Sequence, residues 1–86
     1  MTLTLRAGVS AADTDYGTTL LDEDSGEYFT LNPSAALVLR TLLDGASAAA
    51  AARVLCAEYA VDADTADRDV ADLMAELRSA GLVTEQ

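Results

Sequence analysis

The chain has 86 residues, of which 51% are hydrophobic and 23% are charged, which is enough for one small domain with a single core. Fifteen acidic residues oppose five basic ones, and the net charge of −10 disfavours binding to nucleic acid or to an anionic membrane surface. The sequence contains no histidine, so the commonest general base and the usual zinc ligand sets are missing. Composition therefore argues against an enzyme, a zinc protein and a nucleic-acid-binding protein, and no cofactor is expected.

The single cysteine, Cys56, cannot form an internal disulfide, and its expected role is that of a small buried apolar residue. The sequence starts without the basic and apolar segment of a secretory signal. No apolar run approaches the ~20 residues that a membrane-spanning helix needs. A cytoplasmic location is the expectation that follows.

The first third of the sequence shows the alternation that is typical of β-strands. Leu3 to Val9 alternates apolar residues and predicts a first strand, whereas residues 10–16 are predicted to be irregular. Two β-prone runs, 17–22 and 27–32, are joined by a short polar loop that ends in Gly26, which predicts a hairpin. Three antiparallel strands are therefore expected before the first helix.

Three helices are predicted in the rest of the chain. Helix one is expected at 33–43, because Asn32 can cap a helix and Pro33 fits the first helical position. A second, alanine-rich helix is expected after Ser47. Asp64 is the expected cap of a third helix, which should run to about Ala80 and be terminated by Gly81.

This order of elements predicts an α+β domain of winged helix-turn-helix architecture over residues 1–86, a fold that does not by itself define a function. Two apolar features leave alternatives open. Leu37 falls on the polar side of helix one, so it either packs under the strands or marks a partner surface. Leu82 and Val83 either pack on the sheet edge or close the core.

Several segments together carry a resemblance to a known family. They are Gly17 to Asp22, Ser25 to Ala36, Leu42 to Ser47, Asp69 with Val70, and Leu77 to Val83. Their order and spacing resemble the PqqD-like family, and most closely its stand-alone precursor-recognition proteins of lasso-peptide biosynthesis. The alanine-rich stretch from Ala46 to Ala52 departs from the pattern and leaves the second helix less distinctive.

The resemblance implies a non-catalytic recognition element for ribosomally made and modified peptides (RiPPs). Such a domain binds the leader segment of a precursor peptide as an extra antiparallel strand between its third strand and third helix. The resemblance also implies two partners, a separate leader peptidase of transglutaminase-like fold and a macrocycle-forming synthetase that acts afterwards. The residues expected to border the peptide are Glu27, Tyr28, Phe29, Thr30, Leu31, Asp69, Val70, Leu73, Met74 and Leu77.

Elementary chemistry is consistent with such a site, because an unpaired strand edge offers a row of free N–H and C=O groups to an extended peptide. Alternation puts Phe29 and Leu31 on the face opposite Tyr28 and Thr30, and we assign Phe29 and Leu31 mainly to the core. By the same reasoning the apolar stripe of helix three is mainly core, and only its edge is expected to reach a ligand; the stripe consists of Ala66, Val70, Leu73, Met74, Leu77 and Ala80. Met74 suits a peptide-binding surface, because its flexible thioether can pack against different side chains.

A winged-helix DNA-binding regulator is the main alternative, with helix three in the major groove. Charge opposes it, because this helix region carries Arg68 and Arg78 against Asp64, Asp67, Asp69, Asp72 and Glu76. The acidic run 62–69 lacks the glycine and the final glutamate of a calcium-binding EF-hand loop. No serine has the sequence context of a carrier-protein attachment site.

Overall fold

The computed structural model describes residues 2–85, within which the chain forms four strands, three helices and a final strand. The strands are β1 (Leu3–Leu5), β2 (Val9–Thr14), β3 (Gly17–Asp22), β4 (Tyr28–Leu31) and β5 (Val83–Glu85). The helices are α1 (Pro33–Leu43), α2 (Ala48–Tyr59) and α3 (Ala63–Ser79). The predicted α+β winged helix-turn-helix class, with antiparallel strands before three helices, is confirmed.

The strands form two antiparallel sheets rather than one. Strands β2, β3 and β4 pair in that order, and β1 pairs with β5 separately. The predicted first strand is therefore divided, and Gly8, with φ of +90°, lies between its two parts. Leu82 and Val83 are buried, and Val83 begins β5, so this segment both closes the core and adds a strand.

The prediction of irregular structure at residues 10–16 was wrong, because most of this segment belongs to β2. The strand pairs with β3 along its whole length, from Val9 opposite Asp22 to Thr14 opposite Gly17. Its side chains after Val9 are all exposed. A strand that buries almost no side chains has no apolar alternation, and backbone pairing alone leaves no such signal in the sequence.

The capping residue was predicted correctly for α1 and α2 and was misplaced by two residues for α3. The side chain of Asn32 accepts from the N–H of Ala35, and that of Ser47 accepts from Ala50, as predicted. The cap of α3 is Asp62 rather than Asp64. Its carboxylate accepts from the N–H of Thr65 at 2.7 Å, a bond that lowers the pKa of Asp62. Asp64 lies in the first turn instead, where its negative charge suits the helix dipole.

The β3–β4 hairpin contains a glycine bulge that sets which residues of β4 face outward. The N–H of Gly26 donates to the carbonyl of Asp22 at 2.8 Å, and the N–H of Asp22 donates to the carbonyl of Glu27 at 2.8 Å. Gly26 adopts φ of +78°. This pattern is that of a bulge with glycine in the left-handed region, and it fixes the register of β4 against β3.

Gly17 is the position at which the fold depends most on the absence of a side chain. It has φ of +136°, and a Cβ atom there would lie 1.9 Å from the carbonyl oxygen of Leu31. We expect Gly17→Ala to lower the free energy of unfolding by more than about 2 kcal/mol, because backbone atoms of β4 would have to move. Urea denaturation followed by circular dichroism measures this loss.

Gly26→Ala is the matched control for this prediction. Its φ is also positive, but nothing lies within 4 Å of an added Cβ atom. Only backbone strain remains, so the expected loss is about 1 kcal/mol. Equal losses for the two variants would contradict the close approach of Gly17 to β4.

Candidate binding groove

Strand β4 has an unpaired edge. Because the sheet order is β2-β3-β4, no strand within residues 2–85 pairs on the far side of β4. The bond from Asp22 to Glu27 marks a hydrogen-bonded pair, and such pairs alternate along an antiparallel ladder. Phe29 and Leu31 therefore bond to β3, whereas the backbone N–H and C=O groups of Tyr28 and Thr30 face outward.

The side chains of β4 alternate between the core and the solvent. Leu31 is buried and Phe29 is half-buried against the core, as we assigned them, while Tyr28 and Thr30 are exposed. Every second residue of β4 thus anchors the strand to the helices, and the residues between them present their backbone to the open edge.

A depression of ≈ 430 Å³ lies between this edge and helix α3. One side consists of the end of β4 and the start of α1, and the bottom is apolar. The opposite side is formed by Asp69, Asp72 and Glu76, which we call the acidic wall. The remaining lining residues are Phe29, Thr30, Leu31, Asn32, Ser34, Ala35, Val38, Leu55 and Leu73.

A smaller depression of ≈ 50 Å³ lies at the other end of the same edge. It is bordered by the start of β4 and by the chain just after α3. Its lining residues are Asp22, Glu27, Tyr28, Phe29, Ala80 and Leu82. We call the open edge of β4, together with the two depressions and the facing side of α3, the β4–α3 groove.

Arg6 ties the two sides together at the end with the smaller depression. Its guanidinium donates to the Asp22 carboxylate at 2.6 Å and to the carbonyl of Gly81 at 2.6 Å. Partial burial would raise the pKa of the Asp22 carboxyl, but the bonds from Arg6 and from the N–H of Asp24 hold it below its usual value. The carboxylate is therefore ionised at neutral pH and holds the hairpin against the end of α3.

Most of the residues predicted to border a peptide are brought together here. Phe29, Thr30, Leu31, Asp69 and Leu73 line the larger depression, and Glu27, Tyr28 and Phe29 line the smaller one. The others lie elsewhere on α3. Val70 and Leu77 are 1% and 0% exposed, so they belong to the core beneath the groove.

Met74 is half-buried against the core and lines neither depression. At ~100° per residue, the buried stripe of α3 separates Met74 from the acidic wall. The groove therefore follows the acidic edge of the stripe, and the edge that carries Met74 lies away from it.

The prediction missed several lining residues, for reasons that differ between elements. Asp72 and Glu76 could have been found, because they follow Asp69 at the i+3 and i+7 positions of the same helix face. Asn32 was interpreted only as a helix cap, and Val38, within the predicted helix one, was not assigned to the site. Their place beside the groove depends on how α1 packs against β4, which no local pattern in the sequence reveals.

A third depression, outside the groove, is lined by Leu37, for which the sequence left two alternatives. Leu37 is half-buried and lines this depression of ≈ 380 Å³ with Tyr59, Arg40 and the β2–β3 turn. It is therefore neither fully covered by strands nor part of the groove.

Some kinds of site are not found in the described part of the chain. Between residues 2 and 85 no group of three or more metal-ligating side chains is placed to hold a metal ion. Over the same residues, no helix has the length and apolar character required to cross a bilayer.

Fold and groove together define a small winged-helix domain built around an exposed strand edge that faces a helix. The sequence pattern of the family described as Coenzyme PQQ synthesis protein D (PqqD) matches residues 17–83, and the chain belongs to this family. The resemblance inferred from the sequence is thereby confirmed. No significant match to the chain is found among the curated proteins.

Two solved structures are similar to the chain over nearly its whole length. One is described as lasso peptide synthetase B1 complexed with the leader peptide, and it shares 45% sequence identity with a TM-score of 0.92. The match covers 99% of this chain and 100% of that one. The other is described as TbiB1 in complex with the TbiA(beta) leader peptide, with 28% identity, a TM-score of 0.85 and coverage of 100% and 98%.

Proposed function

We propose that this chain binds the leader segment of a lasso-peptide precursor in the β4–α3 groove. The observation that carries the proposal is the open edge of β4 opposite α3, with the backbone groups of Tyr28 and Thr30 facing outward. Similarity to two chains of nearly the same length, each described as bound to a leader peptide, supports the identity of the ligand.

The leader adds to β4 as an antiparallel strand. Tyr28 and Thr30 each offer one N–H and one C=O, so backbone bonding contributes affinity without regard to sequence. Selectivity comes from the side chains that enter the two depressions. Glu27 and Phe29 border the smaller depression, and Leu31, Asp69 and Leu73 border the larger one.

Antiparallel addition also gives the bound peptide a direction. The larger depression lies at the end of β4, near Leu31, so it receives the N-terminal half of the bound segment. The C-terminal half then leaves past Tyr28 and the end of α3, where Arg6 fixes the hairpin. The part of the precursor that follows the leader emerges at that end of the groove.

The role proposed here is delivery rather than catalysis. The chain carries no histidine, and the groove is lined by apolar, hydroxyl, amide and carboxylate groups with no evident nucleophile and base pair. A separate transglutaminase-like leader peptidase acts on the presented peptide, and a macrocycle-forming synthetase follows. The DNA-binding alternative finds no support, since the acidic wall of α3 would repel a duplex.

Amide hydrogen exchange tests the proposed strand addition. The probe is the leader peptide of the relative that is 45% identical to this chain. We expect saturating peptide to slow exchange at the outward N–H groups of Tyr28 and Thr30, because these alone on β4 gain partners. The N–H groups of Phe29 and Leu31, already bonded to β3, serve as internal controls. Protection confined to α2 or to the β2 edge would refute the proposal.

A further inference from the structure

The two long sides of the groove differ in charge. The β4 and α1 side presents the polar but uncharged side chains of Thr30, Asn32 and Ser34, whereas the α3 side presents the acidic wall. No arginine lines either depression. The charge that a ligand meets inside the larger depression is therefore entirely negative.

Between residues 2 and 85 no side chain forms an ion pair with the acidic wall, and the nearest cation along α3, Arg68, lines neither depression. The ion pairs in this range join Arg6 to Asp22 and Asp24, and Arg78 to Glu85. The three wall residues are exposed and follow one another at i, i+3 and i+7 on one helix face. Like charges at such spacings repel each other and weaken a helix slightly, so a cation beside them would relieve that repulsion.

From this arrangement we infer that the peptide taken up by the groove carries lysine or arginine in its N-terminal half, opposite the acidic wall. The inference rests on the proposed function, because strand polarity places the N-terminal half beside the larger depression. The open edge and the depression make the binding site, and the wall sets the chemistry of its ligand.

The apolar bottom of the same depression adds a second requirement. Leu73 and Leu55 are buried at 8% and 3% exposure, and they form this bottom with Val38. Every second residue of an added strand faces α3. The N-terminal half of the ligand therefore combines, on that face, an apolar side chain that fills the depression and a basic side chain that reaches the wall.

The size of the charge effect follows from measurements on exposed ion pairs. Such pairs each change an equilibrium by about 1.4-fold to fivefold, so removing the whole wall should weaken binding by about tenfold. The attraction must also weaken with salt, since the Debye length falls from about 10 Å at 0.1 M to about 3 Å at 1 M ionic strength.

A triple variant, Asp69→Asn with Asp72→Asn and Glu76→Gln, tests the inference. A second triple variant, Glu58→Gln with Asp64→Asn and Asp67→Asn, is the control. It changes the net charge by the same amount as the wall variant, but at positions on α2 and on the far side of α3. Fluorescence anisotropy with the labelled leader peptide of the 45%-identical relative gives Kd at 0.1 M and 1 M NaCl. A display library that randomises each position of the same peptide reveals the preferred residues.

We expect the wall variant to bind about tenfold more weakly at 0.1 M NaCl and to lose most of the salt dependence, while the control variant stays within about twofold. Wild-type selections should enrich lysine or arginine in the N-terminal half, and selections on the wall variant should not. Equal affinities, salt slopes and selections for wild type and wall variant would overturn the charge inference and leave groove binding intact. Failure of the wild type to bind the probe or any library member would instead overturn the proposed function.

Discussion

Replacing Thr30 with proline is expected to weaken leader binding at least tenfold while the fold is kept. The N–H of Thr30 faces the open edge, so its removal costs no bond to β3, but it deletes a donor that an added strand needs. The proline ring also occupies the space through which the strand would approach. We expect at least a tenfold increase in Kd for the leader peptide, measured by fluorescence anisotropy.

Thr30→Val is the matched control, because it removes the hydroxyl and keeps the N–H. Its Kd should stay within about threefold of the wild-type value if backbone bonding supplies the affinity. Near-native circular dichroism of both variants would establish that neither is unfolded. Wild-type affinity in the proline variant would show that the ligand does not bond to the open edge of β4.

The second large effect concerns the centre of the stripe on α3. Val70 is 1% exposed, so Val70→Asp would bury a carboxylate without a partner. We expect a loss of at least about 4 kcal/mol of unfolding free energy, which approaches the whole stability of a small domain. Thermal denaturation followed by circular dichroism should show an unfolded or barely folded variant at 25 °C.

Ala71→Asp provides the comparison, because Ala71 is the next residue along and is exposed. Its effect should be a loss of about 1 kcal/mol or less, because aspartate is a poorer helix former than alanine but stays in solvent. Comparable losses at the two positions would contradict the placement of the stripe. A charge placed at Val70 would abolish binding by unfolding the domain, so it cannot test the groove. Substitutions at the exposed acidic wall avoid this problem.

Features that depend on neighbours in the sequence could be predicted from the residues. Asn32 followed by proline marks the start of α1, and the polar loop ending in Gly26 marks the β3–β4 hairpin, because caps and turns need particular side chains at particular positions. The error at α3 has the same origin. Asp62 and Asp64 are equally suited to cap a helix, and two residues of displacement lie within the usual uncertainty of a helix boundary.

Features that depend on distant partners could not be predicted in the same way. Strand β2 buries almost nothing, and β5 forms only because Val83 meets Leu5 across nearly the whole chain. The same limit applies to the groove. The amphipathic pattern of α3 predicts a buried stripe with two edges, but the packing of α1 and β4 determines that the edge with Asp72, and not the edge with Met74, borders it.

Among residues 2–85 the three-stranded sheet has two edges without a partner strand, and only one of them is suited to bind a peptide. Ordering one residue of a flexible chain costs about 1–2 kcal/mol, while a backbone hydrogen bond formed in competition with water returns about 1 kcal/mol net. Strand β2 offers backbone groups alone, since its side chains after Val9 are exposed, so a peptide there would gain too little to stay ordered. Beside β4 the ligand can also bury side chains against α3. Under the proposed function, helix α3 therefore determines, more than the strands do, which edge of the sheet binds the peptide.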